Sequence, residues 1–241
     1  MKDKKLFVLI VSVLMALIIP IIIYGFNFNS VAFDKDLYKK EFLKYNVYSN
    51  LKNHDIENIN NDILDYLSNL NKNELIENDF FNGREKMHLL DVKKLINKIF
   101  IIYYLSVILF LLSFILLIIS MNFNFKKIIK NFLIILSIGS TLTLVGAILS
   151  NISSNLNFDF VFTSFHETFF SLGTYTFNPE FEKIVILYPE NLFFDFLIMV
   201  TTNTITSSII LLLLCITFLF ILFKLDFRKF FKKNIDGEDN K

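Results

Sequence analysis

Tryptophan is absent from this chain, cysteine occurs once, proline three times and glycine six times, and only 20% of the 241 residues are charged. The lone cysteine, Cys215, sits inside an apolar run, which excludes a disulfide scaffold. The glycines fall at positions 25, 83, 139, 146, 173 and 237, too scattered for a phosphate-cradling loop or a dinucleotide fingerprint. A net charge of +1 excludes a strongly basic nucleic-acid binder. What is present is apolar: 54% of the residues are hydrophobic and 30 are Phe. That load excludes disorder, and with a charged fraction below the roughly 25% of soluble domains it points to a membrane protein.

The stretches 6–33, 99–125, 131–158 and 196–223 contain no Asp, Glu, Lys or Arg. Each exceeds the ~20 residues a helix needs to cross ~30 Å of hydrocarbon. Backbone polar groups find no water in that layer, so each stretch must be helical. The sequence predicts an all-α integral membrane protein, a single membrane domain over 1–241. Its four transmembrane helices lie near 6–25, 99–121, 131–150 and 204–223, with outer segments 26–98 and 151–203. The first span follows Lys2, Lys4 and Lys5 as a signal peptide would. Its apolar core is too long for an h-region, however, and no small-x-small cleavage site follows, so it reads as a retained anchor.

Lys and Arg set the orientation. Lys2, Lys4 and Lys5, then Lys126, Lys127 and Lys130, then Lys224, Arg228, Lys229, Lys232 and Lys233 all fall on one side of the four spans. Short basic segments face the cytoplasm, so both termini are expected there, with 26–98 and 151–203 extracytoplasmic. In the first outer segment, Ile56, Ile59, Ile63, Leu67 and Leu70 follow a helical period, as do His88, Leu89, Val92 and Ile96. The Asn-rich stretches 58–61 and 69–73 read as helix ends or turns. The second segment carries Phe158, Phe160, Phe162, Phe165, Phe169, Phe170, Phe177, Phe181, Phe193 and Phe194. So much aromatic surface belongs at the headgroup level or under a small helical cap.

The spans hold no Asp, Glu, His, Lys or Arg, which argues against ion or proton transport. Chemistry is therefore sought outside them. His54 sits among polar residues and reads as surface. His88 lies between Glu85 and Asp91 at i−3 and i+3, so a carboxylate on the same helix face would fix its tautomer; a charged juxtamembrane face explains the same spacing. His166 follows Ser164 in Ser164-x-x-Glu167, a capping-box pattern that puts a helix start here and His166 in its first turn, where the dipole keeps the ring neutral. A His pinned among aromatics is the alternative. His166-Glu167-x-x-Phe170 lacks the second His of a zincin helix, and no G-x-S-x-G elbow is present. Phe177-Asn178-Pro179-Glu180 reads as a turn, and Tyr188-Pro189-Glu190 as a helix start. The hydroxyl-rich run Thr201–Ser208 either lines a polar cleft or packs helices, as Ser137, Gly139, Ser140, Thr143 and Gly146 do in the third span.

These motifs form an ordered set: Arg84-Glu85-x-x-His88-x-x-Asp91-Val92, then Phe165-His166-Glu167-x-Phe169-Phe170, Phe177-Asn178-Pro179, and Leu187-Tyr188-Pro189-Glu190-x-x-Phe193-Phe194. The set resembles the lipoprotein intramolecular transacylase (Lit) family of low-GC Gram-positive bacteria, across nearly the whole chain. The resemblance implies a membrane acyltransferase. It would move the sn-2 acyl chain of a diacylglyceryl lipoprotein onto the α-amino group of that lipoprotein's N-terminal cysteine, giving the lyso form. The family's two active-site histidines have counterparts in His88 and His166. Tyr175, Asn178 and Leu89 stand where the family has Trp, Asp and Met, departures that bear on substrate fit more than on chemistry.

Such a reaction suits two general acid/base groups and needs no covalent acyl-enzyme, because amine and ester belong to one substrate. His166 is expected as base and His88 as its partner, with Glu85, Asp91 and Glu167 supporting. Tyr188 and Asn203 are positional candidates for oxyanion or substrate contact. No metal and no cofactor is expected, and the partners are the lipoprotein and membrane lipids, not nucleic acid. The alternatives are a metal-dependent membrane hydrolase on the same His pair and a non-enzymatic envelope protein.

Overall fold

The structure, a computed structural model, describes the backbone of residues 2–69, 74–171 and 173–238, and the side chains of those between 4 and 225. Leu70 of the expected apolar stripe, Asn71 and Asn73, and the side chains of Lys2, Arg228, Lys229, Lys232 and Lys233 lie outside that description. Regular structure among the described residues is helical: α1 (Lys2–Ala32), α2 (Lys35–Lys44), α3 (Val47–Asn50), α4 (Ile56–Ser68), α5 (Gly83–Ser120), α6 (Phe125–Leu156), α7 (Phe158–Phe169), α8 (Ile184–Leu187) and α9 (Glu190–Glu238). Helices α1, α5, α6 and α9 are long and apolar enough to cross a bilayer. The all-α membrane architecture expected from composition is therefore what the chain forms. Each of the four runs beyond its apolar span, because an established helix extends at little cost where further turns find partners.

One compact unit comprises 1–23, 105–146 and 204–241. Val11, Met15, Ala16, Ile19, Leu117 and Ile135 form its core. Lipid tails are as apolar as these side chains, so close packing and interhelical hydrogen bonds hold such helices together. Gly139 shows how close: a Cβ there would fall 2.4 Å from Ile19 Cδ1 and 2.6 Å from its Cβ. Ser140 and Thr143 are buried beside it, and Thr143 donates its hydroxyl proton to Gly139 O at 2.7 Å. The α5–α6 turn is short, with Asn122 and Phe123 at φ 52° and 55°, and Lys4 Nζ donates to Asn122 Oδ1 at 2.8 Å. Lys126, Lys127 and Lys130 stand in the first turns of α6 rather than in a loop.

The second unit comprises 24–104 and 147–203. Its core gathers Phe42, Ile56, Ile63, Leu89, Leu187 and Leu192 from α2, α4, α5, α8 and α9, each fully buried side chain contributing about 1.5–3 kcal/mol. Ile56, Ile59, Ile63 and Leu67 all point inward from α4, the face their spacing predicted. Asn58–Asn61, expected as a helix end or turn, lie in the first turns of α4. Asp55 caps that helix by accepting Asn58 N at 3.1 Å, and Asn60 tolerates burial because Tyr188 donates its phenolic proton to Asn60 Oδ1 at 2.7 Å. Tyr45 donates to Asp195 Oδ2 at 2.5 Å, tying the end of α2 to α9.

Gly139→Val should force α1 and α6 apart, since the added methyls meet Ile19 on a rigid helix. A loss of about 1–3 kcal/mol is expected, read as a lowered thermal unfolding midpoint in detergent.

Candidate active site

The start of α5 is built by reciprocal capping. Asn82 Oδ1 accepts the Arg84 and Glu85 amides at 2.9 and 3.0 Å, and Glu85 Oε2 accepts the Asn82 amide at 2.7 Å. The other Glu85 oxygen accepts Ile184 N at 2.8 Å. Both oxygens of this 1%-exposed carboxylate are thus committed to backbone. The expectation that Glu85 supports His88 directly is corrected: Glu85 fixes the helix that carries His88 and joins it to α8. His88 follows one turn later and is 8% exposed. Asp91 forms an ion pair with Lys94 at 3.1 Å.

His166 sits on α7, but in its last turn. The helix starts earlier than the Ser164-x-x-Glu167 pattern indicated. Asn157 caps it by accepting Phe160 N at 3.1 Å, and the Ser164 carbonyl accepts the Thr168 hydroxyl inside it. An uninterrupted aromatic stripe favours continuing the helix through Ser164. The dipole argument therefore reverses sign, because a helix C-terminus favours imidazolium. Burial overrides it and lowers the His166 pKa, against the opposing effect of the hydrogen bond to Phe162. His166 Nδ1 lies 2.7 Å from Phe162 O. A carbonyl only accepts, so Nδ1 carries the proton and donates, which leaves the Nε2 lone pair free in the neutral ring.

The two imidazoles come together. Their centroids are 6.4 Å apart with planes inclined by 17°. Phe170 touches both rings, at 5.1 Å from His88 and 5.5 Å from His166. Phe177 packs edge-on to His88 at 5.2 Å, and Phe162 and Tyr175 pack on His166 at 4.2 and 5.3 Å. This aromatic box buries the His88 ring and partly buries that of His166. Burial pushes the His88 pKa down to about 4, with His166 adding to the effect and Asp91 opposing it. His88 Nδ1 is buried and has no hydrogen-bond partner among the described residues. At neutral pH the site therefore presents two uncharged imidazoles.

Arg84 supports one wall. Its Nη1 donates to Glu182 Oε1 at 2.8 Å and its Nη2 to Gly173 O at 3.1 Å and to Thr176 O. Its guanidinium lies 5.1 Å from the Phe177 ring. Glu182, 5% exposed, also accepts Asn178 N at 2.6 Å. This clasp fixes the loop bearing Tyr175 and Phe177. Neither Arg84 nor Glu182 was singled out as a site residue from the sequence; the only available signal was Arg84 at the head of the His88 motif.

The remaining candidates lie elsewhere. Glu167 is exposed, about 100° around α7 from His166. Tyr188 is committed to Asn60 and the core, and burial raises its pKa well above the ordinary phenol value. Asn203 is exposed on α9. Among the described residues no group of three or more His, Cys, Asp or Glu side chains converges on a point that could hold a metal ion. The His pair thus offers two nitrogens to a metal, one fewer protein ligand than a catalytic zinc site supplies.

Comparison with known proteins bears on this geometry. The family model described as lipoprotein intramolecular transacylase Lit matches residues 13–194. The fold is similar to a solved structure of the membrane-integral lipoprotein intramolecular transacylase Lit from Bacillus cereus. That match has a TM-score of 0.72 at 23% identity, over 93% of this chain and 98% of that one. Two further structures of the same protein carry a histidine replaced by arginine or by alanine. The arginine variant gives TM-score 0.72, 20% identity and coverage of 95% and 97%. The alanine variant gives 0.66, 22%, and 93% and 96%. No curated relative matches by sequence.

Two outcomes follow from the clasp and the buried ring. Arg84→Ala should release the 173–177 loop and cost about 1–3 kcal/mol, seen as faster amide exchange confined to that loop and its neighbours; Arg84→Lys should restore only part, lacking the fork. The lowered His88 pKa means the unfolded chain binds the extra proton first, so stability is full above pH ~6.5 and falls toward pH 4. That ring contributes on the order of 3 kcal/mol, and His88→Gln should flatten the drop in unfolding midpoint between those two pH values.

Proposed function

We propose a reaction for this chain from one premise: it belongs to the lipoprotein intramolecular transacylase family. It is accordingly a membrane enzyme, and its substrate is a diacylglyceryl-modified lipoprotein. The reaction moves the sn-2 acyl chain from glycerol oxygen to the α-amino nitrogen of the lipoprotein's N-terminal cysteine. The observation that carries a His-mediated mechanism is the pair of neutral, near-parallel imidazoles 6.4 Å apart in an aromatic box.

An α-amino group has a pKa of ~7.7–8.0, so a neutral, nucleophilic fraction exists at physiological pH. His166 Nε2, its lone pair free because Nδ1–H is held by Phe162 O, takes a proton as the nitrogen closes on the ester carbon. The C–N bond forms, the C–O bond to glycerol breaks, and the proton reaches the glycerol oxygen by way of His88. Net charge on the protein is unchanged at the end. Holding amine and ester of one substrate together supplies much of the acceleration, and no enzyme-bound acyl group is required. Asp91 tempers the lowering of the His88 pKa; Glu85 acts through the helix start.

The reading places the histidines on the extracytoplasmic side, under a cap from 26–98 and 151–203, with both termini cytoplasmic. The lysines at 4, 5, 126, 127, 130 and 224 support it through the positive-inside rule, as does the Lys4–Asn122 hydrogen bond, which joins the N-terminus to the α5–α6 turn.

His88→Ala and His166→Ala should each lower transacylation by about 10²–10⁴-fold while the protein still inserts. Mass spectrometry of a lipoprotein's N-terminal peptide from expressing cells reads the result directly. Undiminished N-acyl, lyso-glyceryl product in both variants would remove the histidines from the mechanism.

A further inference from the structure

Helix α7 has an apolar stripe with only half a partner. Phe158, Phe162, Phe165 and Phe169 recur at i, i+4, i+7 and i+11 and share one face. The first two are seated: Phe158 rests on Phe194 at 5.2 Å and Phe162 on Phe193 at 5.9 Å. The stripe then overhangs. Phe165 is 42% and Phe169 53% exposed, and the two rings touch at 5.1 Å. Around the helix from them lie Asp159, Thr163 and Glu167, with Phe160, 68% exposed, beside Glu167. No residue of α7 is buried, so contacts within the protein do not cover the Phe165–Phe169 overhang.

Chain arithmetic indicates what covers it. The charge-free runs 131–158 and 196–223 each contain 28 residues. At 1.5 Å per residue each measures roughly 42 Å, the ~40–45 Å of a bilayer with its headgroup layers. One run ends at Phe158, where α7 begins; the other begins at Phe196, less than a turn beyond the Phe193 and Phe194 on which α7 rests. Both rulers put the start of α7 at the headgroup level. A helix with a four-Phe stripe on one side and Asp159 and Glu167 around from it, at that depth, is the pattern of an in-plane interfacial helix, and Phe160 at its first turn is within reach of the same layer.

We infer that α7 is such a helix, its Phe165–Phe169 overhang bedded among the glycerol and upper acyl segments of the bilayer lipids. Its occupant is the lipid surface itself. His166 travels with it, because Nδ1–H is bonded to a carbonyl of the same helix and Phe165 packs edge-on to the ring at 5.5 Å. The helix thereby holds one imidazole at the depth of lipid ester groups. This inference does not depend on the reaction proposed above.

The absence of tryptophan makes the test clean. Phe165→Trp and Phe169→Trp each introduce the protein's only indole, at a half-exposed ring position. The full chain is reconstituted in phosphatidylcholine vesicles that carry bromine near the glycerol or near the chain ends. The expected result is blue-shifted emission, loss of most intensity with the shallow label, a smaller loss with the deep label, and weak quenching by aqueous iodide. Strong iodide quenching with no response to brominated lipid overturns the inference, and so does stronger quenching by the deep label. The two variants are separate probes, so poor folding of one leaves the other to decide. Transacylation measured on the same vesicles is an independent readout, and its loss would bear on the mechanism and not on the depth of α7.

Discussion

The site depends on keeping water away from two imidazoles. An exposed histidine near neutral pH is a mixture of charged and uncharged forms. Here Phe162, Phe170, Tyr175 and Phe177 surround the pair, and burial lowers both pKa values. A protonated ring in that box would forfeit hydration, and at His88 the nearby Asp91 charge offsets only part of that loss. The same desolvation that keeps the rings uncharged also makes them costly to protonate, so charge state and pH-dependent stability share one cause.

Such a box needs rigid walls, and these are held by polar contacts outside it. Glu85 uses both carboxylate oxygens on backbone amides. Arg84 and Glu182 then pin the loop that supplies Tyr175 and Phe177. Charged groups close to the histidines thus serve geometry. A carboxylate hydrogen-bonded to a ring would raise its pKa and return it to the charged form; committing Glu85 elsewhere preserves the low pKa. Under the proposed reaction this division is useful, because neutral groups must both accept and pass on a proton.

Membrane helices were legible because they rest on a one-dimensional property. Uncharged runs longer than a bilayer is thick must be helical, and α1, α5, α6 and α9 contain them. The stripe Ile56, Ile59, Ile63, Leu67 identified α4 for a similar reason, as a period visible in local spacing. Local pattern failed where two signals competed. Ser164-x-x-Glu167 has the letters of a capping box, yet it lies inside α7 because Asn157 already caps that helix and the Phe stripe continues through it. The Asn-rich stretch at the start of α4 falls at a helix end, one of the two readings its composition gave, and burial of Asn60 there depends on Tyr188, distant in sequence.

By itself the sequence determined the composition of each span, the side on which basic residues cluster, and the presence of two histidines in motif-like surroundings. Only the tertiary structure decided that those histidines, 78 positions apart, come to 6.4 Å between ring centres. It also decided that Glu85 serves the backbone, that Tyr188 is locked in the core, and that burial rather than a helix dipole sets the His166 charge state. The physical reason is range. Hydropathy and helical period are carried by neighbours along the chain, whereas desolvation and hydrogen-bond commitment depend on which distant groups arrive beside a side chain once the fold has closed.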